Sequence, residues 1–245
     1  MIEVENLTVR YGGVTSLDGV NLVFEKGTCG LIGPNGAGKT TFFNVLSGFV
    51  RPASGTIRAF GDNLLALPHY RRARWGVRRT FQTEQAIEGL SVYDNVAMVH
   101  SPLRGPARRA DVLAAIEFTG GGLSPDARVG TLGAGQRRLV EVARAVAGKP
   151  RLILLDEPAA GLPDEETSHL ASVIRAIPAQ TGALTILVDH DMSLVSAVCE
   201  TTAVLDFGRL IASGPTAAVL RDENVMRAYL GTAEVALCKN RNGTP

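Results

Sequence analysis

The chain has 245 residues, of which 45% are apolar and 20% are charged, and its formal net charge is +1. This length is enough for one large domain with a sizeable core, and the near-neutral charge gives no global argument for nucleic acid or acidic partners. No apolar run approaches the ~18 residues needed to span a bilayer, and the start lacks an apolar signal segment. A cytosolic protein with reduced thiols, which reaches a membrane only through a partner, is therefore expected.

The first third of the chain predicts antiparallel strands that lead into a short buried strand. Apolar residues alternate over residues 2–9 with one slip in phase, which indicates a bulge, and they alternate again over residues 20–24. Residues 28–32 then predict a buried strand. Tyr11, near the turn between the first strands, is a candidate for stacking on a nucleotide base, with packing beside the turn as the alternative.

A glycine-rich stretch follows the buried strand and opens a helix. Its sequence, GPNGAGKT, fits the phosphate-loop pattern G-x-x-x-x-G-K-[ST] in full. Glycines let the backbone aim successive amide groups at phosphate oxygens, and the helix start adds partial positive charge. Lys39 is expected to reach the β- and γ-phosphates, and the Thr40 hydroxyl to ligate Mg²⁺. The predicted nucleotide-binding residues of this stretch are Gly33, Pro34, Asn35, Gly36, Ala37, Gly38, Lys39, Thr40 and Thr41.

Five arginines lie between residues 71 and 79. A basic cluster beside a triphosphate site can steer an anion or contact lipid headgroups, but a solvated helix face is the simpler interpretation, which we adopt. Gln82 follows this cluster at the hinge to the next segment. It is a candidate for sensing the γ-phosphate or the attacking water.

The region after Gln82 predicts a small helical subdomain beside the core. Residues 101–129 carry no strand pattern, and their best predicted helix covers residues 111–118. A strongly amphipathic helix is predicted over residues 136–147. The loop LGAGQ at residues 132–136 opens it and provides a second anion site of backbone amides. Because one chain rarely needs two triphosphate cradles, we hypothesise that this loop caps the nucleotide of a second copy in a two-fold dimer.

Two buried strands with polar ends complete the predicted site. The apolar run 152–155 ends in Asp156 and Glu157, and the run 185–188 ends beside His190. The carboxyl ends of parallel strands are where ligands bind in open α/β sheets. Asp156 suits Mg²⁺, Glu157 suits a general base for water, and His190 suits a hydrogen bond to the γ-phosphate. Solvated loop acids and a structural histidine are the alternatives.

The remaining predicted elements are a helix over residues 164–177, a hairpin that turns at Phe207 and Gly208, and a terminal helix over residues 222–230. The residues after Gly231 are expected to fray. The residues predicted to bind Mg²⁺ are Thr40, Gln82 and Asp156. The predicted catalytic residues are Glu157, His190, Gln82 and Lys39.

The order of these motifs resembles that of ABC-type ATPase subunits over about residues 2–231. The matching segments are the A-loop aromatic Tyr11, Walker A at 33–41, the Q-loop Gln82, the signature loop at 132–136 with Gly135 and Gln136, Walker B at 152–157, the D-loop at 159–164 and the switch histidine His190. The resemblance implies an α/β P-loop NTPase fold with a mixed or parallel core sheet, an antiparallel β subdomain and a small helical subdomain. It implies one domain over residues 1–231, with the core at about 1–82 and 149–231 and the helical subdomain at about 83–148, followed by a tail over 232–245.

Within that superfamily the chain resembles the ATP-binding subunits of branched-chain amino acid importers. The segments that carry this resemblance are RTFQ at 79–82, GQRRL at 135–139, EPAAGL at 157–162, DHDM at 189–192 and RAYLG at 227–231. It implies ATP and Mg²⁺ as cofactors and a dimer with a second ABC ATPase subunit. It further implies integral membrane permease subunits, a periplasmic binding protein indirectly, no nucleic acid, and a peripheral location on the cytoplasmic face of the membrane. Importers of urea or short amides and the ATPase of lipopolysaccharide export share parts of the pattern.

Two departures from the family pattern leave alternatives open. Gly133 and Ala134 replace the serine and first glycine of the usual LSGGQ, which removes one γ-phosphate donor worth ~1.5–3 kcal/mol if nothing compensates. Pro163 stands where many D-loops have an aspartate. The alternatives are a hydrolysis-poor regulatory half of a heterodimer and a soluble non-transport ABC ATPase. Intact catalytic motifs argue against the first, and a single cassette without heptads argues against the second.

Overall fold

Two β-sheets and the helices around them form the fold, in a computed structural model that describes residues 1–99 and 108–229. The strands are β1 (Ile2–Tyr11), β2 (Val14–Phe24), β3 (Thr28–Ile32), β4 (Ser54–Ala59), β5 (Asp62–Asn63), β6 (Val77–Arg79), β7 (Leu152–Asp156), β8 (Leu184–Val188), β9 (Thr201–Asp206) and β10 (Arg209–Pro215). Over the described residues the helices are α1 (Lys39–Ser47), α2 (His69–Trp75), α3 (Val92–Ala97), α4 (Arg109–Thr119), α5 (Ala134–Val146), α6 (Asp164–Thr181), α7 (Met192–Val198) and α8 (Thr216–Val219), followed by helical residues 223–229.

The smaller sheet is antiparallel throughout, in the order β2-β1-β4-β5. Its β1 strand carries the predicted bulge: the pairing with β2 shifts register between Val4 and Leu7, and Asn6 between them has a φ of 48°. The shift keeps the apolar side chains of β1 buried on one face on both sides of the irregularity. The predicted antiparallel β subdomain is confirmed.

The larger sheet has the order β10-β9-β3-β8-β7-β6, and all neighbours are parallel except the β9–β10 hairpin. Strands β3, β7 and β8 are buried at every residue, as expected for parallel strands covered on both faces. The loops that follow β3, β6, β7 and β8 therefore emerge at the same edge of the sheet. The predicted mixed core sheet is confirmed.

Strand β7 shows how the sheet separates two apolar clusters. Leu152 and Leu154 pack into a cluster with α1 and the antiparallel sheet, whereas Ile153 and Leu155 pack into a cluster with α3 to α7. This alternation follows from the two-residue period of a strand. The sheet thus has an apolar layer on each face, and the polar residues at its edge are held between these layers.

The helical elements largely follow the prediction but differ from it in extent; α4, for example, covers Arg109–Thr119 rather than residues 111–118. Helix α5 begins at Ala134 rather than residue 136, and α6 continues through Pro178 to Thr181 rather than ending at Ile177. Helix α6 ends where Gly182 adopts a left-handed conformation with a φ of 70°, so that glycine and not the proline terminates it. Of the predicted terminal helix, residues 223–229 are helical, while Leu230, Gly231 and the tail 232–245 lie outside the described residues.

The interpretation of the arginines at residues 71–79 as a solvated face is wrong for Arg72. Arg72 is only 4% exposed. Its guanidinium donates to the carbonyls of Leu67 at 2.7 Å, Leu46 at 3.0 Å and Val45. The last two carbonyls belong to the end of α1, whose C-terminal carbonyls lack partners within the helix. Burial lowers the pKa of Arg72. Arg72 therefore stabilises the helix that begins at the phosphate loop.

We predict that replacing Arg72, which caps the end of α1, destabilises the protein. The variant Arg72→Met leaves buried carbonyls without their charged donor, so we expect the free energy of unfolding to fall by about 2–3 kcal/mol. Arg74→Met, at an exposed position of the same helix, should change it by less than about 0.5 kcal/mol. Urea unfolding monitored by circular dichroism compares the two variants, and equal stability of both would contradict the capping role.

Candidate functional site

The loop between β3 and α1 is held in place by the strands around it. A Cβ at Gly33 would lie 2.0 Å from the carbonyl oxygen of Leu205, and one at Gly38 would lie 2.7 Å from that of Ser16, so only glycine fits at either position. The amide of Gly208, at the tip of the β9–β10 hairpin, donates to the carbonyl of Ala37 at 3.0 Å. The loop is thus shaped by contacts that do not involve a ligand.

The loop residues divide into a buried base and an exposed mouth. Gly33, Pro34, Ala37, Gly38 and Lys39 are buried, whereas Asn35, Gly36 and Thr40 are exposed. The Thr41 hydroxyl lies 2.7 Å from the Ser16 hydroxyl, and this hydrogen bond ties the helix start to β2. The exposed residues are the ones that a phosphate chain entering the loop would meet first.

Lys39 places a buried ammonium group inside the loop. The residue is 9% exposed, and its Nζ donates to the carbonyls of Gly33 at 2.6 Å and Pro34 at 3.0 Å. Burial lowers the pKa of Lys39, while the charges of Glu157 and Asp156 act in the opposite direction. A buried cation held by neutral carbonyls at a helix N-terminus is an environment that fits an anionic ligand.

The residues predicted to bind Mg²⁺ carry oxygen atoms that can serve as ligands. Thr40 presents a hydroxyl at the exposed start of α1, Gln82 an exposed amide, and Asp156 a buried carboxylate at the end of β7. The described residues hold no group of three or more His, Cys, Asp or Glu side chains that could bind a metal. This sparse oxygen set fits Mg²⁺, which usually takes one or two protein ligands together with phosphates and waters.

Two of the predicted catalytic residues, Gln82 and His190, converge on the carboxylate of a third, Glu157. The Nε2 atom of Gln82 donates to Oε2 of Glu157 at 2.8 Å, and Nδ1 of His190 lies 3.9 Å from the same oxygen. The Glu157 backbone has a φ of 47°, and its amide donates to the carbonyl of Val188 on the neighbouring strand. The His190 side chain is 66% exposed, so it is free to turn toward a ligand.

Two residues at this edge were not assigned a role from the sequence. Asp189 is buried and accepts the backbone amides of His190 at 2.8 Å and Asp191 at 3.0 Å, which fixes the turn that presents His190. Burial raises the pKa of Asp189, and these amide bonds act against the rise. Arg79 forms a buried ion pair with Asp156 at 2.8 Å, so the solvated-face interpretation is wrong for this arginine as well. The position of Asp189 directly after an apolar run was the available signal.

Gly135 and Gln136 lie apart from this cluster, at the start of α5. Gln136 donates to the carbonyl of Gly121 at 3.2 Å, and the Glu166 carboxylate packs on Gly135 so closely that a Cβ there would lie 2.5 Å from its carboxyl carbon. Both residues line a pocket between α5 and α6 that is separate from the phosphate loop. Tyr11, at the end of β1, is 48% exposed, so its ring is accessible for stacking.

Comparison with known protein families gives two matches. The family described as "ABC transporter" matches residues 17–160, and "Branched-chain amino acid ATP-binding cassette transporter" matches residues 209–235. The first match covers more than half of the chain and includes the phosphate loop, the Gln82 region and the end of β7. The second match begins at β10 and extends past the described residues.

Similar proteins include transport ATPases from two bacteria. The high-affinity branched-chain amino acid transport ATP-binding protein BraF of Pseudomonas aeruginosa is 37% identical over 95% of this chain and 98% of its own length. LivG of Escherichia coli K12, described in the same words, is 33% identical over the same shares of the two chains. The lipopolysaccharide export system ATP-binding protein LptB of Escherichia coli K12 is 37% identical over 94% of this chain and 97% of its own.

Among solved structures, the ADP conformation of MJ1267, an ATP-binding cassette of an ABC transporter, has a TM-score of 0.85 and 26% identity. The similarity covers 94% of this chain and 98% of that one. The structure of cbiO1 from Clostridium perfringens, part of the ABC transporter complex cbiONQ, has a TM-score of 0.81 and 26% identity. The fold therefore agrees with that of ATP-binding cassettes of ABC transporters.

Replacement of the buried lysine predicts a loss of nucleotide affinity without a loss of stability. Lys39→Met removes a charged donor to phosphate worth about 1.5–3 kcal/mol, so the affinity for ATP should fall roughly 10- to 150-fold. Its thermal stability without nucleotide should be retained, because relief of the cost of burying the ammonium offsets the loss of its bonds to the carbonyls of Gly33 and Pro34. Isothermal titration calorimetry measures the affinity, with the exposed Lys26→Met as control. Unchanged affinity in Lys39→Met would contradict the assignment.

Proposed function

The chain belongs to the ATP-binding subunits of ABC transporters, and from this premise we propose that it powers uptake of a branched-chain amino acid or a related amino acid or amide. Membership of this family makes it an ATPase subunit. The solute class is supported by the match over residues 209–235 and by the similarity to BraF and LivG. Because LptB is also similar, import as the direction of transport is part of the proposal.

The convergence of Gln82 and His190 on Glu157 carries the proposed catalytic mechanism. Glu157 acts as the general base that takes a proton from the attacking water. Gln82 holds one carboxylate oxygen of Glu157 and orients it, and His190 donates to the γ-phosphate as negative charge develops there. The left-handed backbone of Glu157 is a strained conformation of the kind that active sites maintain.

The phosphate loop binds the triphosphate in this proposal. Apart from Pro34, which has no N–H, the amides of residues 33–41 surround the phosphates, and Lys39 exchanges its loop carbonyls for β- and γ-phosphate oxygens. Thr40, Gln82 and Asp156 are the residues that would hold Mg²⁺, which when bound neutralises charge on the β- and γ-phosphates. Tyr11 stacks on the base.

A second subunit completes the site by supplying the start of its α5 helix. Gly135 and Gln136 lie at the N-terminus of a 13-residue helix whose partial positive charge favours an anion. Their separation from the phosphate loop within one chain supports contact with the nucleotide of another copy or of a related subunit. Gly133 and Ala134 lack the usual serine hydroxyl, so the amide of Gly135 and the helix terminus supply the remaining stabilisation.

Permease subunits in the membrane are the proposed partners, at the cytoplasmic face. Among residues 1–99 and 108–229, no helix is long and apolar enough to cross a membrane. In the proposed division, residues 83–148 form a helical subdomain that transmits closure of the dimer from the Gln82 region to a permease. A periplasmic binding protein would deliver the solute on the other side of the membrane, and nucleic acid is not a partner.

The hydrolytic role predicts a specific outcome for Glu157→Gln. We expect turnover to fall roughly 10²–10⁴-fold, since the general base is lost, while ATP still binds. A coupled phosphate-release assay and equilibrium ATP binding measure the two effects. The exposed Glu117→Gln on α4 is the control, and it should retain full turnover. Rapid steady turnover by Glu157→Gln would contradict the mechanism, and a wild-type chain without turnover would favour the regulatory alternative.

The transport role predicts membrane association and amino acid uptake. In the native host, the tagged chain should sediment with membranes and co-purify with integral membrane proteins. Cells that carry only Glu157→Gln should lose uptake of labelled leucine while their lipopolysaccharide reaches the surface normally. A chain found only in the soluble fraction would overturn the transport role, and loss of surface lipopolysaccharide with normal leucine uptake would overturn import.

A further inference from the structure

Arg79, the last residue of β6, connects Asp156 to helix α1. Its side chain is 7% exposed, and Nη2 donates to Oδ2 of Asp156 at 2.8 Å. Nη1 donates to Oδ1 of Asn44 at 2.7 Å and to the hydroxyl of Ser47 at 3.4 Å, both on α1. One guanidinium thus joins the end of β7 to the helix that begins at the phosphate loop.

Aromatic rings enclose the same guanidinium. Its Cζ lies 4.9 Å from the centre of the Phe81 ring and 5.5 Å from that of Phe43. Phe81 directly precedes Gln82, the residue that contacts Glu157. A guanidinium satisfies this environment better than an ammonium, because its planar fork donates to two acceptors at once while stacking on aromatic faces.

The ion pair engages only one oxygen of the carboxylate. Over the described residues, Oδ2 of Asp156 accepts from Arg79, and no hydrogen bond is made to Oδ1. A second hydrogen bond fixes the backbone of this residue, because the Asp156 amide donates to the hydroxyl of Thr80 at 3.1 Å. The carboxylate is therefore fixed through its backbone and one oxygen, and the other oxygen remains available.

We propose that Arg79 is a positioning residue for Asp156. By fixing Oδ2, it keeps Oδ1 oriented toward the metal that accompanies the nucleotide. It also links this carboxylate to α1 and to the loop that carries Gln82. The proposal rests on the proposed function, because that function places the metal at Asp156. Outer partners of metal-binding carboxylates are often needed for full metal affinity. Arg79 itself makes no contact with nucleotide in this scheme.

The first test measures the stability that the Arg79–Asp156 ion pair contributes, without any nucleotide. Thermal unfolding compares the wild type with Arg79→Met, Asp156→Asn and the double variant. Removing one partner leaves a buried charge unpaired, so each single variant should melt lower, and the double variant should melt higher than Arg79→Met. Additive losses in the double variant would overturn the pairing. Arg79→Lys, which retains the charge, should melt between the wild type and Arg79→Met.

The second test measures how much Mg²⁺ strengthens ATP binding, by calorimetry with Mg²⁺ and with EDTA. In Arg79→Met this enhancement should fall roughly 10- to 100-fold, while ATP affinity in EDTA stays almost unchanged. Arg79→Lys should recover part of the enhancement, and the exposed Arg74→Met should retain all of it. An unchanged enhancement in folded Arg79→Met, or an increased one, would overturn positioning; an increase would mean that Arg79 only repels the metal.

The two tests separate failure of this proposal from failure of the proposed function. A wild type that does not bind ATP would refute the function, whereas the unfolding cycle would still report on the ion pair. If Arg79→Met does not fold, Arg79→Lys and the double variant supply the comparison. In that case an Mg²⁺ enhancement in folded Arg79→Lys that is clearly smaller than in the wild type supports positioning, and full retention of the enhancement overturns it.

Discussion

Parallel pairing of β3, β6, β7 and β8 determines where the polar side chains of the site lie, because parallel strands all end at one edge. The phosphate loop leaves β3 there, Glu157 follows β7, and His190 follows β8. Gln82 reaches the same edge from β6 and bonds to Glu157. Segments far apart in sequence thus meet without long loops, and the apolar layers on both faces keep the strand ends in register.

Buried charge is the second recurring feature of this fold. Arg72 donates to carbonyls at the end of α1, Arg79 pairs with Asp156, and Arg138 pairs with Glu141 at 2.8 Å within α5. Such pairs contribute little net stability compared with apolar residues, but breaking one leaves an unpaired charge that is costly. Their value is in fixing geometry, since each joins backbone or side-chain groups whose relative positions the apolar core alone does not specify.

Local patterns predicted the elements and the motif residues, but not the contacts between distant segments. The apolar run before Asp156 predicted a buried strand with a carboxylate at its end, because an unbroken apolar run bounded by polar residues is visible in the local sequence. The roles of Arg72 and Arg79 were missed, since a run of arginines does not show which carbonyl or carboxylate each will meet. The end of α6 was misplaced because a proline within a helix and a glycine after it compete as stop signals. The roles of the predicted site residues, Tyr11 and Gly135 among them, all stay predictions.

The contacts between the phosphate loop and the neighbouring strands affect how an anionic ligand binds. Contacts from Leu205, Ser16 and Gly208 shape the loop backbone before any ligand arrives. An incoming anion therefore loses little affinity to ordering of the chain, and only the Lys39 ammonium has to exchange its acceptors. A loop shaped in this way favours association that is limited by encounter and side-chain rotation rather than by loop folding.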